Sequence, residues 1–416
     1  MAELNEDQLE VLEFVKNGKN VFVTGGAGVG KSFLLKEITN YFRENSMIFA
    51  VTAMTGSAAI LINGRTLHST LGIGLGKGTP NELLKRLFKM EGPYSLLMSL
   101  EVLIIDEVSM LNDILFDKIF ELLKLVKRNN KPFGGIQVIL VGDMSQLPPV
   151  EGSFCFKSLN FDFNVKILTK NMRVQNDNLF ENILGRLRWG ICTDDDYSIL
   201  ESLRDTIFEN DIVPTKLYSI NKDVDSVNSI ELQNLINQGV EYKMYSVRYT
   251  SNPLKLKAST NYVNSQKIQE HIKLCIGAQV MVNRNLDPEN QIVNGTRGVV
   301  THLYDDYIVI KLVNGNEQII SYFHVKPDPF DTVMVDKNLD FKYLPIQLAW
   351  SVSIHKSQGM TIDALSADLG RSVFAFGQAY TAISRAKNLS SIKLTKVSQR
   401  SFRASPDVIE FYSKYS

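Results

Sequence analysis

Asn20-Val-Phe-Val-Thr-Gly-Gly-Ala-Gly-Val-Gly-Lys-Ser32 is the stretch that decides the fold. It passes from a short apolar β-run through a glycine-rich turn of G-x-x-x-x-G-K-S spacing into a segment, Ser32–Tyr41, with apolar residues at helical spacing (Phe33, Leu34, Leu35, Ile38, Tyr41). Glycines at such a turn let successive backbone N–H groups curl around an anion. The helix that follows points the positive end of its dipole at the same place. Gly25, Gly26, Ala27, Gly28, Val29 and Gly30 therefore make a candidate phosphate cradle, in which Lys31 would meet the β- and γ-phosphates of a nucleotide and Ser32 would hold Mg²⁺.

Working outward, apolar runs at Val21–Thr24, Met47–Thr52, Val102–Asp106 and Ile136–Gly142 alternate with helical patterns, among them Asp113–Arg128. That alternation predicts a parallel sheet with helices on its faces. The glycine-rich Leu71–Pro80 and the basic helix expected over Asn81–Met90 form an excursion from the sheet, with Lys77, Lys85, Arg86 and Lys89 available to phosphates. Pro214–Asn228 is a second strand-to-helix unit. From about Gln266 short β-runs take over (Ala278–Asn283, Arg297–Tyr304, Tyr307–Leu312, Gln318–Tyr322), with Asn314-Gly315 as a hairpin turn. The α/β pattern resumes at Leu348–Ile354, continues through a helix at Gly377–Ala386 and closes with a strand at Ser391–Lys396, so a β insert interrupts the second α/β domain.

The chain of 416 residues is long enough for two or three domains, and 44% hydrophobic with 22% charged residues is ordinary for a globular protein. Lys+Arg and Asp+Glu both total 45, so any affinity for nucleic acid must come from local patches. Cys155, Cys192 and Cys275 stand too far apart for C-x-x-C metal spacing and suit a reducing compartment. The acidic N-terminus is no signal peptide, and no apolar run approaches the ~20 residues of a membrane helix. The expectation is a soluble, non-secreted protein of unassigned compartment with no membrane partner. With no heptad seam, it is expected to be a monomer.

Val102-Leu-Ile-Ile-Asp-Glu107 is a buried strand ending in two carboxylates. In a phosphate-loop fold Asp106 would hold the Mg²⁺ shell and Glu107 would polarise the attacking water. Gly142-Asp-Met-Ser-Gln-Leu-Pro-Pro149 follows the next strand, and Gln146 is the natural γ-phosphate sensor.

These motifs, together with Leu4-Asn5, Gln8, Thr52–Ala59, Gly64, Thr66-Leu-His-Ser69 and Ile354-His-Lys-Ser-Gln-Gly359, resemble superfamily-one helicases. Lys131-Pro-Phe-Gly-Gly-Ile-Gln137 narrows the resemblance to the petite integration frequency (Pif) family, over Leu4 to about Lys396. The resemblance implies tandem RecA-like phosphate-loop domains with parallel sheets. The first would span residues 1–165 with a wedge insertion at 70–99, and the second 166–245 and 346–416 around an SH3-like β-barrel insertion at 246–345. It implies ATP and Mg²⁺ as cofactors, with Gln8 reading adenine and Arg173 and Arg385 as arginine fingers. It implies DNA contacts at Thr55, Gly56 and His68, at His355 and Lys356, and at Asn294 and Arg297 near the entry to the barrel.

The activity so implied is 5'-to-3' translocation on single-stranded DNA with unwinding of forked duplexes. One alternative is a translocase that strips proteins or opens RNA–DNA hybrids, and another is a nucleotide-switched DNA-binding module. Lys124 and Lys127 stand where the family usually has arginines, which weakens any forked contact there, and Met144-Ser145 replace a common aromatic. The close flanks of the motifs lead to the expectation of a minimal helicase core without an appended domain.

Overall fold

The structure is a computed structural model that describes residues 4–170, 178–208, 213–218, 222–266, 268–287, 290, 292–326, 338–371 and 373–415. It divides into two units, one of the described residues up to 170 with 404–415, the other of 178–326 and 338–403.

The first unit is built on six parallel strands, β1 (Val21–Gly25), β2 (Phe49–Ala53), β3 (Arg65–Thr66), β4 (Val102–Asp106), β5 (Gln137–Gly142) and β6 (Asn164–Leu168). Their spatial order is β3-β2-β4-β5-β1-β6. Strands covered on both faces read as continuous apolar runs. Val21, Phe22 and Val23 on β1 and Val102 to Ile105 on β4 are buried accordingly. Because every strand is parallel to its neighbours, all their C-terminal ends lie on one edge of the sheet. The excursion after β3 is a pair of short helices, Pro80–Leu87 and Glu91–Ser99, the first opened by a Thr79–Glu82 capping box.

Two domain boundaries differ from expectation. Lys166–Leu168, expected to open the second domain, belong to the strand Asn164–Leu168 that adds to the first sheet beside β1, with Val21 opposite Asn164 and Gly25 opposite Leu168. This edge strand is only partly buried along most of its length and lacks the unbroken apolar run of the central strands. Residues 404–415, also expected in the second domain, belong to the first unit. Their helix, Pro406–Ser413, buries Val408, Phe411 and Tyr412. Phe411 stacks on Phe156 at 4.3 Å and meets Phe22 of β1 at 6.1 Å. An amphipathic helix buries its apolar face wherever a complementary surface lies, and chain order does not say where.

In the second unit, β7 (Thr215–Tyr218) is followed by β8 (Tyr242–Ser246), β9 (Arg248–Tyr249), β10 (His271–Cys275), β11 (Gln279–Val282), β12 (Arg297–Leu303), β13 (Tyr307–Leu312), β14 (Glu317–Ser321), β15 (Phe323–Val325), β16 (Phe341–Tyr343) and β17 (Ile346–Leu348). The chain then returns through β18 (Ser351–Ser353), β19 (Leu365–Leu369) and β20 (Ile392–Val397). The parallel sheet has the order β18-β7-β19-β20, and the insertion centres on the antiparallel sheet β14-β13-β12-β11-β17. Gly315 makes the turn before β14 at φ +85°, a conformation glycine adopts at no steric cost.

The run Leu348–Ile354, expected as one strand, serves two sheets. Ile346–Leu348 pairs with β11, whereas Ser351–Ser353 pairs with β7. Asn228, on the helix Lys222–Asn237, marks the hand-over: its amide donates to Ser351 O and accepts from Ser351 N, both at 2.9 Å. Ala349 and Trp350 are buried, so no change of polarity announces the break.

Candidate nucleotide and nucleic-acid site

In the first unit the C-terminal edge of the sheet collects the predicted chemistry. β1 runs directly into the phosphate loop, whose Gly25, Gly28 and Gly30 take φ values of +151°, +85° and +82°. A Cβ on Gly25 would lie 2.5 Å from Leu168 O, so only glycine lets β1 turn there beside β6. The helix Lys31–Glu44 starts at Gly30 with no side-chain cap, which leaves its first N–H groups to an anion. Lys31 Nζ donates to Gly25 O at 2.8 Å and Gly26 O at 2.7 Å, which fixes the ammonium over the loop, and Ser32 is exposed one residue on.

Two strands away, β4 delivers Asp106 and Glu107. Burial, then the charge of Glu107, pushes the Asp106 carboxyl up to about 7, while the Glu107 N–H and Lys31 pull the other way. The Glu107 N–H donates to Asp106 Oδ1 at 2.9 Å. Glu107 itself sits in the left-handed region at φ +51°, ψ +45°, a strained position for a residue with a side chain and one that concentrates at working sites. At the end of β5, Asp143 O accepts from Gln146 N and Asp143 Oδ1 from Ser145 N, which curls the sensor loop back on itself. Gln146 is 4% exposed, and among the described residues its Oε1 finds no donor.

An uncapped helix start, a glycine cradle, an acidic pair at a strand end and an orphaned buried acceptor together fit a nucleotide with a divalent cation. Gln8 fits the same purpose: its Oε1 accepts from Asn5 N in a capping box, while its buried Nε2 has no acceptor among the described residues. On the β2 and β3 side of the edge, Thr55 caps the helix Gly56–Leu61 and Thr66 caps the short helix that carries His68. Burial holds the His68 imidazole below its usual range. One sheet edge thus carries both the nucleotide residues and Thr55, Gly56 and His68.

The description PIF1-like helicase matches residues 3–193, and that of the DNA helicase Pif1 2B domain matches 260–303. The ATP-dependent DNA helicase PIF1 of Xenopus laevis is 37% identical over 98% of this chain and 64% of its own length. The ATP-dependent DNA helicase Pif1 of Bdellovibrio bacteriovorus is 33% identical over 99% of this chain and 92% of its own. The chain belongs to the Pif1-like helicase family. A crystal structure of a Bacteroides Pif1 helicase in complex with ADP-AlF3 and single-stranded DNA superposes with a TM-score of 0.70 at 30% identity, over 100% of this chain and 98% of that one. The family architecture, RecA-like domains with a β insertion, is the one observed. The chain spans 64% of the length of the Xenopus relative.

The second unit places the remaining residues differently from one another. His355 and Lys356 follow β18 at the C-terminal edge of its sheet, His355 half-buried and held below its usual imidazole range by that burial. Lys356 is exposed. Arg385 is buried at 5% exposure, with Nε donating to Thr381 O and Nη2 to Ser384 Oγ. Arg173 lies outside the described residues.

Asn294 and Arg297, expected to touch DNA, are interior residues. Arg297 is 0% exposed, and its guanidinium donates to Val280 O at 2.6 Å and to Val213 O, locking β11 of the insertion to the segment entering β7. A guanidinium spent on buried carbonyls has no fork left for a phosphate. Asn294 is 4% exposed, in a loop whose Gly295 presses so closely on Thr361 O that a Cβ would stand 1.9 Å away. The motif was visible in the sequence, but its burial was not.

Two residues escaped the sequence reading. Tyr412 Oη, in the C-terminal helix, pairs with Thr24 Oγ1 just before the phosphate loop and accepts from Met144 N at 3.1 Å in the sensor loop. Nothing local flags it, since its partners lie 388 and 268 residues away. Gln358 is 0% exposed, and neither of its side-chain polar atoms has a partner among the described residues. Its place in Ser357-Gln358-Gly359 was the available signal.

Proposed function

We propose that this protein is an ATP-dependent DNA helicase that moves 5' to 3' on a single strand and opens forked duplexes. The observation that carries this reading is the shared sheet edge of the first unit. Lys31, Asp106, Glu107 and Gln146 occupy its centre, and Thr55, Gly56 and His68 its flank, so a shift at the nucleotide is felt at the strand through one rigid sheet.

In this mechanism the cradle N–H groups and Lys31 hold the phosphates, while Ser32 and Asp106 would hold Mg²⁺, which would supply neutralising charge to the phosphoryl group. Glu107 takes a proton from the attacking water, and Gln146 orients that water with its free acceptor. Arg173 and Arg385 serve as the arginine fingers, a role that requires Arg385 to leave Thr381 and Ser384. His355 and Lys356 grip the strand on the second unit. Opening a base pair costs about 1.4 kcal/mol per step, well under the roughly 5.5 kcal/mol that swings a two-state equilibrium from 1:99 to 99:1, so a cycle on that scale suffices.

A monomer is the working unit in this reading, and RNA–DNA hybrids are a secondary substrate. No helix of the described residues is long and apolar enough to cross a membrane. Strand separation on forks bearing only a 5' or only a 3' tail tests the proposal, with ATP·Mg²⁺ and a Lys31→Ala control. Opening of the 5'-tailed fork alone, abolished in the control, supports it. Hydrolysis stimulated by single strands without opening of either fork replaces it with a translocase.

A further inference from the structure

The second unit holds a cavity of about 880 Å³ at the C-terminal ends of β19 and β20, which neither the nucleotide site nor the predicted DNA contacts use. Five of its lining residues are basic, Arg204, Arg371, Lys396, Arg400 and Arg403, and one is acidic, Asp368. In a chain of zero net charge that is a steep local imbalance. Part of the charge is compensated: Lys396 Nζ lies 3.4 Å from Asp368, and Arg204 lies 3.3 Å from Glu201. Arg371 and Arg400 are exposed and have no hydrogen-bond or ion-pair partner among the described residues. Like charges gathered around a concavity repel one another, and an anion relieves the repulsion.

Aromatic rings flank the charges. Phe374 and Phe376, on the loop after β19, are 63% and 41% exposed. Arg403 organises that loop, donating to Phe374 O at 2.8 Å and lying 5.4 Å from the Phe376 ring. Exposed rings beside unpaired guanidinium groups are what a single strand needs, a surface on which bases stack and cations that track phosphates. A free phosphate would have no use for the rings.

The place in the fold agrees. All four strands of this sheet run parallel, so the cavity shares its edge with β18, after which His355 and Lys356 follow. Three strand spacings separate β18 from β20, roughly 14 Å, or about four nucleotides stacked at ~3.4 Å. A strand held at Lys356 can reach the cavity without leaving the edge.

We propose that this cavity is an accessory single-strand site, in which Arg371, Lys396 and Arg400 take backbone phosphates and Phe374 stacks a base. The proposal rests on the helicase reading above and extends its DNA track. Its test is fluorescence anisotropy with labelled oligothymidylate of increasing length, from about 50 to 200 mM salt, on the wild type and the double variant Lys396→Ala/Arg400→Ala. Loss of two phosphate contacts lowers the slope of log K against log salt by about 1.4 and weakens binding roughly 10- to 25-fold near 0.1 M salt. Lys396→Arg/Arg400→Lys keeps the slope. Phe374→Ala weakens binding about fivefold with the slope unchanged. Both altered side chains of the double variant are exposed, so an unchanged melting temperature confirms the fold. Equal slopes and affinities for wild type and double variant overturn the accessory site while leaving the helicase reading intact. A wild type that binds no single strand sinks both. Displacement of the strand by millimolar inorganic phosphate in the wild type, with no effect of Phe374→Ala, assigns the cavity to free phosphate and overturns the proposal.

Discussion

Replacing Tyr412 by Phe removes one oxygen and no volume, yet that oxygen ties together the two loops that must agree during hydrolysis. Thr24 immediately precedes the phosphate loop, Met144 lies two residues before Gln146, and both they and Tyr412 are at most 1% exposed. Without the hydroxyl, the Met144 N–H and the Thr24 hydroxyl are left buried without this partner, at about 1–3 kcal/mol for an unsatisfied group. A total near 2–3 kcal/mol predicts a melting temperature lower by roughly 5–10 °C for a unit of this size. The functional effect is separable from the stability effect. At 20 °C, well below melting, Tyr412→Phe should lower kcat for strand-stimulated ATP hydrolysis several-fold while leaving the affinity for single-stranded DNA unchanged, because Thr55 and His68 follow β2 and β3 at the far side of the sheet from β1. Thr24→Val, which removes only one of the two bonds, should fall between wild type and Tyr412→Phe. The assay is steady-state phosphate release with and without oligonucleotide, beside calorimetry. If Tyr412→Phe melts and turns over like the wild type, the hydroxyl does not couple the loops and the reasoning fails.

Arg297→Met should lower the melting temperature of the second unit, since the buried carbonyls of Val280 and Val213 lose this donor, at about 1–3 kcal/mol for an unsatisfied group. The salt slope of DNA binding, measured by anisotropy at low temperature, should stay the same, whereas a phosphate contact would take about 0.7 from it. For His68 the sign follows from burial, which lowers the folded-state value below 6.5. Between that lowered value and 6.5 the unfolded chain binds more protons, so stability is lost as pH falls through this window and is unaffected above it. His68→Gln should therefore lose less melting temperature than the wild type between pH 7 and 5, and parallel curves would refute the assignment.

The phosphate loop and the acidic strand end were legible because their chemistry is local. A cradle needs glycines at fixed offsets, and a strand covered on both faces needs an unbroken apolar run, so Gly25 to Ser32 and Val102 to Glu107 state their own conformation. Helix ends moved by only a few residues, as with Lys31–Glu44 against the expected Ser32–Tyr41. Asn294 and Arg297 show where this stops. A polar motif reads the same whether it faces solvent or locks two sheets, and burial depends on what the rest of the chain brings to it.

The amino-acid sequence by itself determined the α/β class, the nucleotide chemistry, the interruption of the second parallel sheet by β strands, and the family. Each is written in spacings of a few residues. Only the tertiary structure decided that β6 and the C-terminal helix complete the first unit, that one apolar run serves both β17 and β18, that Tyr412 bridges two loops hundreds of residues away, and that five basic residues surround one cavity. Such facts depend on which surfaces meet. Hydrophobic burial is non-directional and does not depend on chain distance, so a local pattern can say that a face will be covered but not by what.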